Sequence, residues 1–284
     1  MIDFLAAVAD HTFLQYALLT GVLAGIACGI VGTYVVTRRI TYIGGGIAHS
    51  LLGGMGAAYY LSAAHNLSWL HPLHGAAAVA LISAVIIGLV SLRSREREDT
   101  VISAIWAIGM AAGVIFISRT PGYSENLMSY LFGNILMVSR SDLWLLAGLD
   151  LLIVGFGLIF YNQFLAVCFD EEFARVRGLK VEWYYLLLLG LTALTVVLLV
   201  MVVGLIMVIA LLTLPVAIAG QFTRTLKQTM VAASLISILV TGLGLALSYG
   251  PNLPAGATII LVAGIAYVAV LILTRFTGLG RARA

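Results

Sequence analysis

Apolar residues run along this chain in unbroken blocks of about 20, the length that crosses a bilayer as a helix. The blocks cover 13–36, 42–62, 75–92, 100–118, 142–161, 184–203, 205–222, 228–249 and 255–274. Polar residues gather between the blocks and are rare inside them. The pattern predicts an all-α, polytopic membrane protein. It argues against a transmembrane barrel, whose strands alternate apolar and polar residues. The stretch 184–222 is too long for one crossing, yet only Gly204 near its middle and Pro215 later interrupt it. It reads as two crossings joined by a tight turn, or as one long helix followed by a broken or re-entrant one. The count is therefore eight or nine. With no internal repeat and no linker, the chain reads as one transmembrane domain, 1–284.

Composition narrows the function classes. Of 284 residues, 62% are hydrophobic and 10% are charged, against about 25% charged in a soluble domain. So few charges cannot cover a water-facing surface, which excludes a soluble enzyme, a nucleic-acid binder and a disordered chain. The positions of the charges give an orientation. One set of loops carries Arg38, Arg39, Arg93, Arg95, Arg97, Arg175, Arg177, Lys180, Arg224, Lys227, Arg275, Arg281 and Arg283; the other carries only Arg119 and Arg140. The first set is expected to be cytoplasmic, with the C-terminus on the same side. The segment before His11 is acidic and lacks the basic start of a secretory signal. Cys28 and Cys168 are expected at different depths and form no disulfide framework.

Three further patterns carry structure. Gly21, Gly25 and Gly29 stand four apart, as do Gly46, Ser50 and Gly54. Such rows let helices approach closely in lipid or leave bare backbone along a path. The apolar stretch 131–138 is too short to span and suggests a short re-entrant or interfacial helix. The segment 168–182 places Asp170, Glu171 and Glu172 before Arg175, Arg177 and Lys180, the order a helix macrodipole favours. Asp170 suits an N-cap and Gly178 a C′ position. Phe173 and Val176 give this helix, near 170–180, a small apolar edge, as in a charged loop helix or one that docks into a partner's groove.

Few residues inside the apolar blocks can do chemistry. His49 lies about ten residues beyond Arg39, or about 15 Å along a helix, near the middle of a ~30 Å hydrocarbon core. Gly45 and Gly53 flank it on its own face, predicting open space around the imidazole. An ionisable group at that depth is either a hydrogen-bonded packing residue or part of a path for a metal ion, for which imidazole is a good ligand. Asp150 lies roughly 12 Å further along its helix than Asp142. It can supply a carboxylate to the same site, cap a neighbouring helix, or bond to a Ser or Thr across an interface. His65, His71 and His74 share one outer loop, where they either capture an arriving cation or are incidental. No catalytic residues are expected: no HExxH motif or Gly-x-Ser-x-Gly elbow occurs. There is no Walker A motif either, so an ATP-driven mechanism requires hydrolysis on another subunit. A proton- or sodium-coupled transporter working alone is the alternative, although such folds commonly show repeats that this chain lacks.

The chain resembles the membrane permease subunits of the ATP-binding-cassette importers for zinc, manganese and iron. The resemblance rests on Arg38-Arg39-Ile-Thr-Tyr-Ile-Gly-Gly-Gly-Ile-Ala-His49, Ser129-Tyr-Leu-Phe-Gly-Asn-Ile-Leu136, Phe169-Asp-Glu-Glu-Phe-Ala-Arg-Val-Arg-Gly178, Leu211-Leu-Thr-Leu-Pro215 and Leu253-Pro-Ala-Gly256. It covers nearly the whole chain. It implies a fold similar to the vitamin B12 and siderophore importer permeases, with fewer helices, in the bacterial cell membrane. It also implies two cytoplasmic ATPase subunits, a second permease copy or paralogue, and an extracytoplasmic metal-binding protein. The transported divalent metal ion is cargo, and no cofactor is bound permanently. Asp170, Glu171, Glu172, Phe173, Arg175, Arg177 and Gly178 would form the helix that couples to the ATPase. Where that family carries an Asp four residues before the His of the second span, this chain has Gly45, leaving His49 alone.

Overall fold

A computed structural model describes residues 2–65, 67, 69–93, 97–120, 133 and 135–277. Helices α1 (Ile2–Asp10), α2 (Thr12–Thr37), α3 (Thr41–His65), α4 (Pro72–Arg93) and α5 (Glu98–Arg119) come first. A 3-10 turn at Ile135–Met137 precedes α6 (Arg140–Ile159), α7 (Tyr161–Phe169), α8 (Glu171–Val176) and α9 (Val181–Val203). The chain closes with α10 (Leu205–Phe222), α11 (Leu226–Tyr249) and α12 (Ala255–Thr277). No strand occurs among the described residues.

Each apolar block forms a helix, and α2, α4, α5, α6, α9, α10, α11 and α12 are long and apolar enough to cross a membrane. The stretch 184–222 is two helices, because Gly204 takes φ +86° and ψ 158° between them, a conformation open only to glycine. The apolar block that does not qualify as a span is α3. It is long enough, at 25 residues, but its glycines, tyrosines and His49 lower its hydropathy. Helices α1 and α7 were not anticipated. In α7, Asn162 and Gln163 interrupt the apolar run, yet Phe164 is fully buried and meets Tyr184 edge-on at 6.5 Å. The helix expected over 131–138 lies partly outside the described residues; Ile135 is buried and Met137 exposed in the described turn. Arg95, Arg281, Arg283 and most of the Ser129–Leu136 motif also lie outside them.

The chain forms two compact units. The first combines Met1–Val36, Met128–Ile159 and Val202–Ala284. Its organising helix is α2. Gly21, Gly25 and Gly29 press against Thr241, Ile238 and Ser234 of α11, while Gly32 meets the Leu212 carbonyl of α10. Val216, Ala219 and Ala233 form a buried cluster with Val36 packed on it.

The second unit combines Thr37–Leu127 and Phe160–Met201. Here α3 lies between α4 and α5, and glycine backbone on both sides brings the helices close. A Cβ on Gly54 would sit 2.2 Å from the Gly75 carbonyl oxygen, and one on Gly75 would sit 2.2 Å from the Gly54 oxygen. On the α5 side, Gly46 meets Ile102, Gly53 meets Gly109, and Gly56 meets Gly113. Ser50 Oγ lies 3.2 Å from Ser83 Oγ of α4. Apolar area gives no net attraction between helices in lipid, so dispersion across these close contacts and a few polar bonds hold them together.

This packing predicts a graded response to added side chains. Gly54→Val forces α3 and α4 apart and should cost about 1–3 kcal/mol, read as a lower thermal midpoint in detergent. Gly264→Ala meets nothing within 4 Å and should leave the midpoint unchanged or slightly raised. Equal effects of the two would refute the account.

Candidate functional site

The close contact of α3 with α5 puts His49 face to face with Trp106. Their ring centroids are 4.0 Å apart and their planes 9° from parallel. The expected open space beside His49 is therefore partly filled: Gly53 abuts the Gly109 backbone, and the indole covers one face of the imidazole. Trp106 is itself restrained. Its indole N–H points to Met110 Sδ at 3.0 Å. The Tyr42 ring leans on it at 6.2 Å, and Tyr42 Oη lies 2.8 Å from Ser103 Oγ. His49 Nδ1 is buried and has no hydrogen-bond partner among the described residues.

Asp150 belongs to the first unit, in α6. It is buried, and neither carboxylate oxygen has a hydrogen-bond partner among the described residues, a bond to a Ser or Thr included. His65 ends α3, and its side chain lies outside the described residues. His71 and His74 meet edge to face at 6.3 Å. Their Nδ1 atoms accept backbone N–H groups at the start of α4, His74 from His71 at 3.4 Å and His71 from Leu73 at 3.3 Å. That leaves each ring only Nε2 for another ligand. Among the described residues, no three His, Cys, Asp or Glu side chains converge on one point.

Helix α8 is fixed at both ends. The Asp170 carboxylate accepts the Phe173 N–H at 2.9 Å. At the other end Gly178 takes φ +77°. Its N–H reaches the Arg175 carbonyl at 2.9 Å, and the Leu179 N–H reaches the Ala174 carbonyl at 3.0 Å. This paired arrangement closes a helix on a left-handed residue. Ala174 faces inward and is fully buried, whereas Phe173 is 52% exposed and Val176 88%. The Arg177 guanidinium lies 5.1 Å from the Phe173 ring centre. The result is a short rigid helix with an apolar edge directed outward.

Sequence reasoning missed how α8 is tied to α3. Arg38, in the turn before α3, pairs with Glu171 at the start of α8. The same guanidinium lies 5.4 Å from the centre of the Tyr185 ring of α9. Tyr185 Oη is 3.3 Å from Ser91 Oγ of α4, which is 2.5 Å from Glu98 Oε1 of α5. One polar network thus joins the ends of α4, α5, α8 and α9 to the turn before α3. Arg39, next in that turn, has φ +63°, which is uncommon for a residue with a side chain. Arg and Glu at these positions were visible in the sequence as loop charges, but nothing in their spacing pairs them. Cys168 is buried beside this network. Burial pushes its thiol up to about 12, against a smaller opposite effect of Arg38.

The model of the ABC 3 transport family matches residues 10–274. The chain is 45% identical over 259 residues to a "Probable metal transport system membrane protein" of Chlamydia trachomatis, covering 91% of this chain and 88% of that one. It is 35% identical over 265 residues to the manganese transport system membrane protein MntC of Listeria monocytogenes, covering 93% and 91%. Among solved structures it is similar to PsaBC from Streptococcus pneumoniae in complex with Fab, with TM-score 0.83, 31% identity and 95% of each chain covered. A second structure, an inward-facing ABC transporter described as of metal-chelate type, shares the fold at TM-score 0.71 and 17% identity, covering 94% of this chain and 88% of that one.

Two predictions test the network. Arg38→Glu or Glu171→Arg alone should lower the thermal midpoint by about 2–4 °C, and the double reversal should recover much of the loss. A double variant no better than either single one would refute the pairing. In a Cys28→Ala background, Cys168 should resist maleimide at pH 7.5 and react after denaturation, because thiolate is scarce and buried. Equal labelling of native and denatured protein would contradict this.

Proposed function

The chain belongs to the ABC 3 transport family, and from that membership we propose that it is the permease of an ATP-driven importer for a divalent transition-metal ion. The observation that carries the mechanism is α8: a capped helix between membrane-spanning segments, with Phe173 and Val176 directed outward. Such an edge fits a groove on a cytoplasmic ATPase. The reading includes two ATPase subunits, a second copy or paralogue of this chain, and an extracytoplasmic metal-binding protein that delivers the ion. The bias of basic residues supports a cytoplasmic C-terminus and a cytoplasmic α8. This chain does no chemistry on ATP.

Manganese is favoured among the metals by the names of relatives such as the Listeria protein; zinc and iron belong to the same proposal. In the path, His49 offers one nitrogen ligand at membrane depth. Gly45, one turn earlier on α3, offers none. Few fixed ligands suit passage, because an ion held by a closed protein cage would leave slowly. ATP binding on the partners would move α8, and its tie through Arg38 would carry that movement to the turn before α3.

Extraction in mild detergent should copurify an ATPase subunit, and the complex should show ATPase activity stimulated by Mn²⁺, Zn²⁺ or Fe²⁺. Phe173→Asp combined with Gly178→Pro removes the apolar edge and the left-handed cap. It should release the ATPase and reduce uptake more than about tenfold while the chain stays in the membrane. A chain that transports fully when reconstituted alone would overturn the ATP-driven reading.

A further inference from the structure

We propose that Trp106 is a positioning residue for His49, holding the imidazole plane by ring stacking where a hydrogen bond would ordinarily hold it. The inference rests on the reading above that His49 lies on the ion's path. A histidine that meets a metal is normally oriented through its other ring nitrogen, which donates to a carboxylate, carbonyl or water. His49 has no such support among the described residues: Nδ1 is buried and unpartnered. The contact that orients the ring is the indole face, 4.0 Å away and 9° from parallel.

The geometry follows from backbone packing. Gly109 of α5 lies against Gly53 and against the backbone and Cβ of Ser50 on α3, and Gly113 lies against the backbone and side chain of Leu52. Two helices this close leave room for aromatic rings to lie flat against one another. The indole is a firm support because its N–H is directed at Met110 Sδ, 3.0 Å away, and Tyr42 braces the ring. The χ2 torsion of histidine is soft by itself, with a broad two-fold profile; a flat partner on one face limits it to one plane.

The consequence concerns the direction of ligand approach. Imidazole binds a cation in its own plane, through a nitrogen lone pair. With that plane parallel to the indole, the ion must approach along the surface of Trp106. The indole adds no lone pair, but its π-face attracts a cation weakly and without fixed coordination geometry. Trp106 would thus set where the ion meets His49 without becoming a ligand.

The test uses the complete transporter, permease with ATPase subunits and binding protein, and measures Mn²⁺ and Zn²⁺ uptake against concentration at matched membrane abundance. Trp106→Ala should raise the concentration for half-maximal uptake by about tenfold, the scale seen when a ligand's orienting partner is removed. Trp106→Phe keeps a stacking face and should stay closer to the parent. His49→Ala should itself reduce uptake, and adding Trp106→Ala to it should cost little more, because residues that act as a unit are not additive. Should Trp106→Ala fail to accumulate, Trp106→Leu, which fills space without stacking, replaces it in the same cycle. Normal uptake in Trp106→Ala, or an equal loss with and without His49, would overturn the inference. Normal uptake in His49→Ala would instead remove the premise that His49 is on the path. A wild-type complex that takes up neither metal would count against the importer reading itself.

Discussion

A bilayer takes away the hydrophobic effect as a force between helices, and close fit has to replace it. In the second unit that constraint falls on α3. Its glycines are what let α4 and α5 approach to backbone contact, and Gly54 and Gly75 each occupy the space the other's side chain would need. The same residues make α3 the least apolar of the long helices. His49 sits at this contact, its imidazole stacked on the Trp106 indole of α5 at 4.0 Å.

The polar network is the counterpart at the helix ends. Six residues of helix have no stability in isolation, since nucleation is costly. Helix α8 persists because Asp170 caps one end, Gly178 closes the other, and Ala174 is buried beneath it. Arg38 then ties it to the turn that starts α3. An exposed ion pair contributes little to stability. This pair is more than two-thirds buried at each side chain, with the guanidinium also placed over Tyr185. Its importance lies in connecting elements that are far apart in sequence.

The other ionisable groups divide by their partners. His71 and His74 use Nδ1 to satisfy backbone N–H groups at the start of α4, a structural task that every helix start imposes. Asp150 has no hydrogen-bond partner for either oxygen among the described residues, an arrangement that folding alone does not reward, because an unbonded buried polar group costs stability. That contrast separates a histidine pair with a structural occupation from a carboxylate without one.

The sequence by itself determined the class of the fold, the helices that fill its apolar blocks, and the capped helix at Glu171–Val176. Each of these is set by local chemistry: unbroken hydropathy, the N-cap oxygen of Asp170, and the left-handed backbone that Gly178 and Gly204 permit. The glycine rows announced close approach but not its partner, because spacing on one helix marks a face and says nothing of what meets it. Only the tertiary structure decided that the row on α2 faces α11 while α3 faces both α4 and α5. It alone joined His49 to Trp106, 57 positions later, and Arg38 to Glu171, 133 positions later. Those are contacts between segments whose separation along the chain carries no physical signal, and packing alone brings them together.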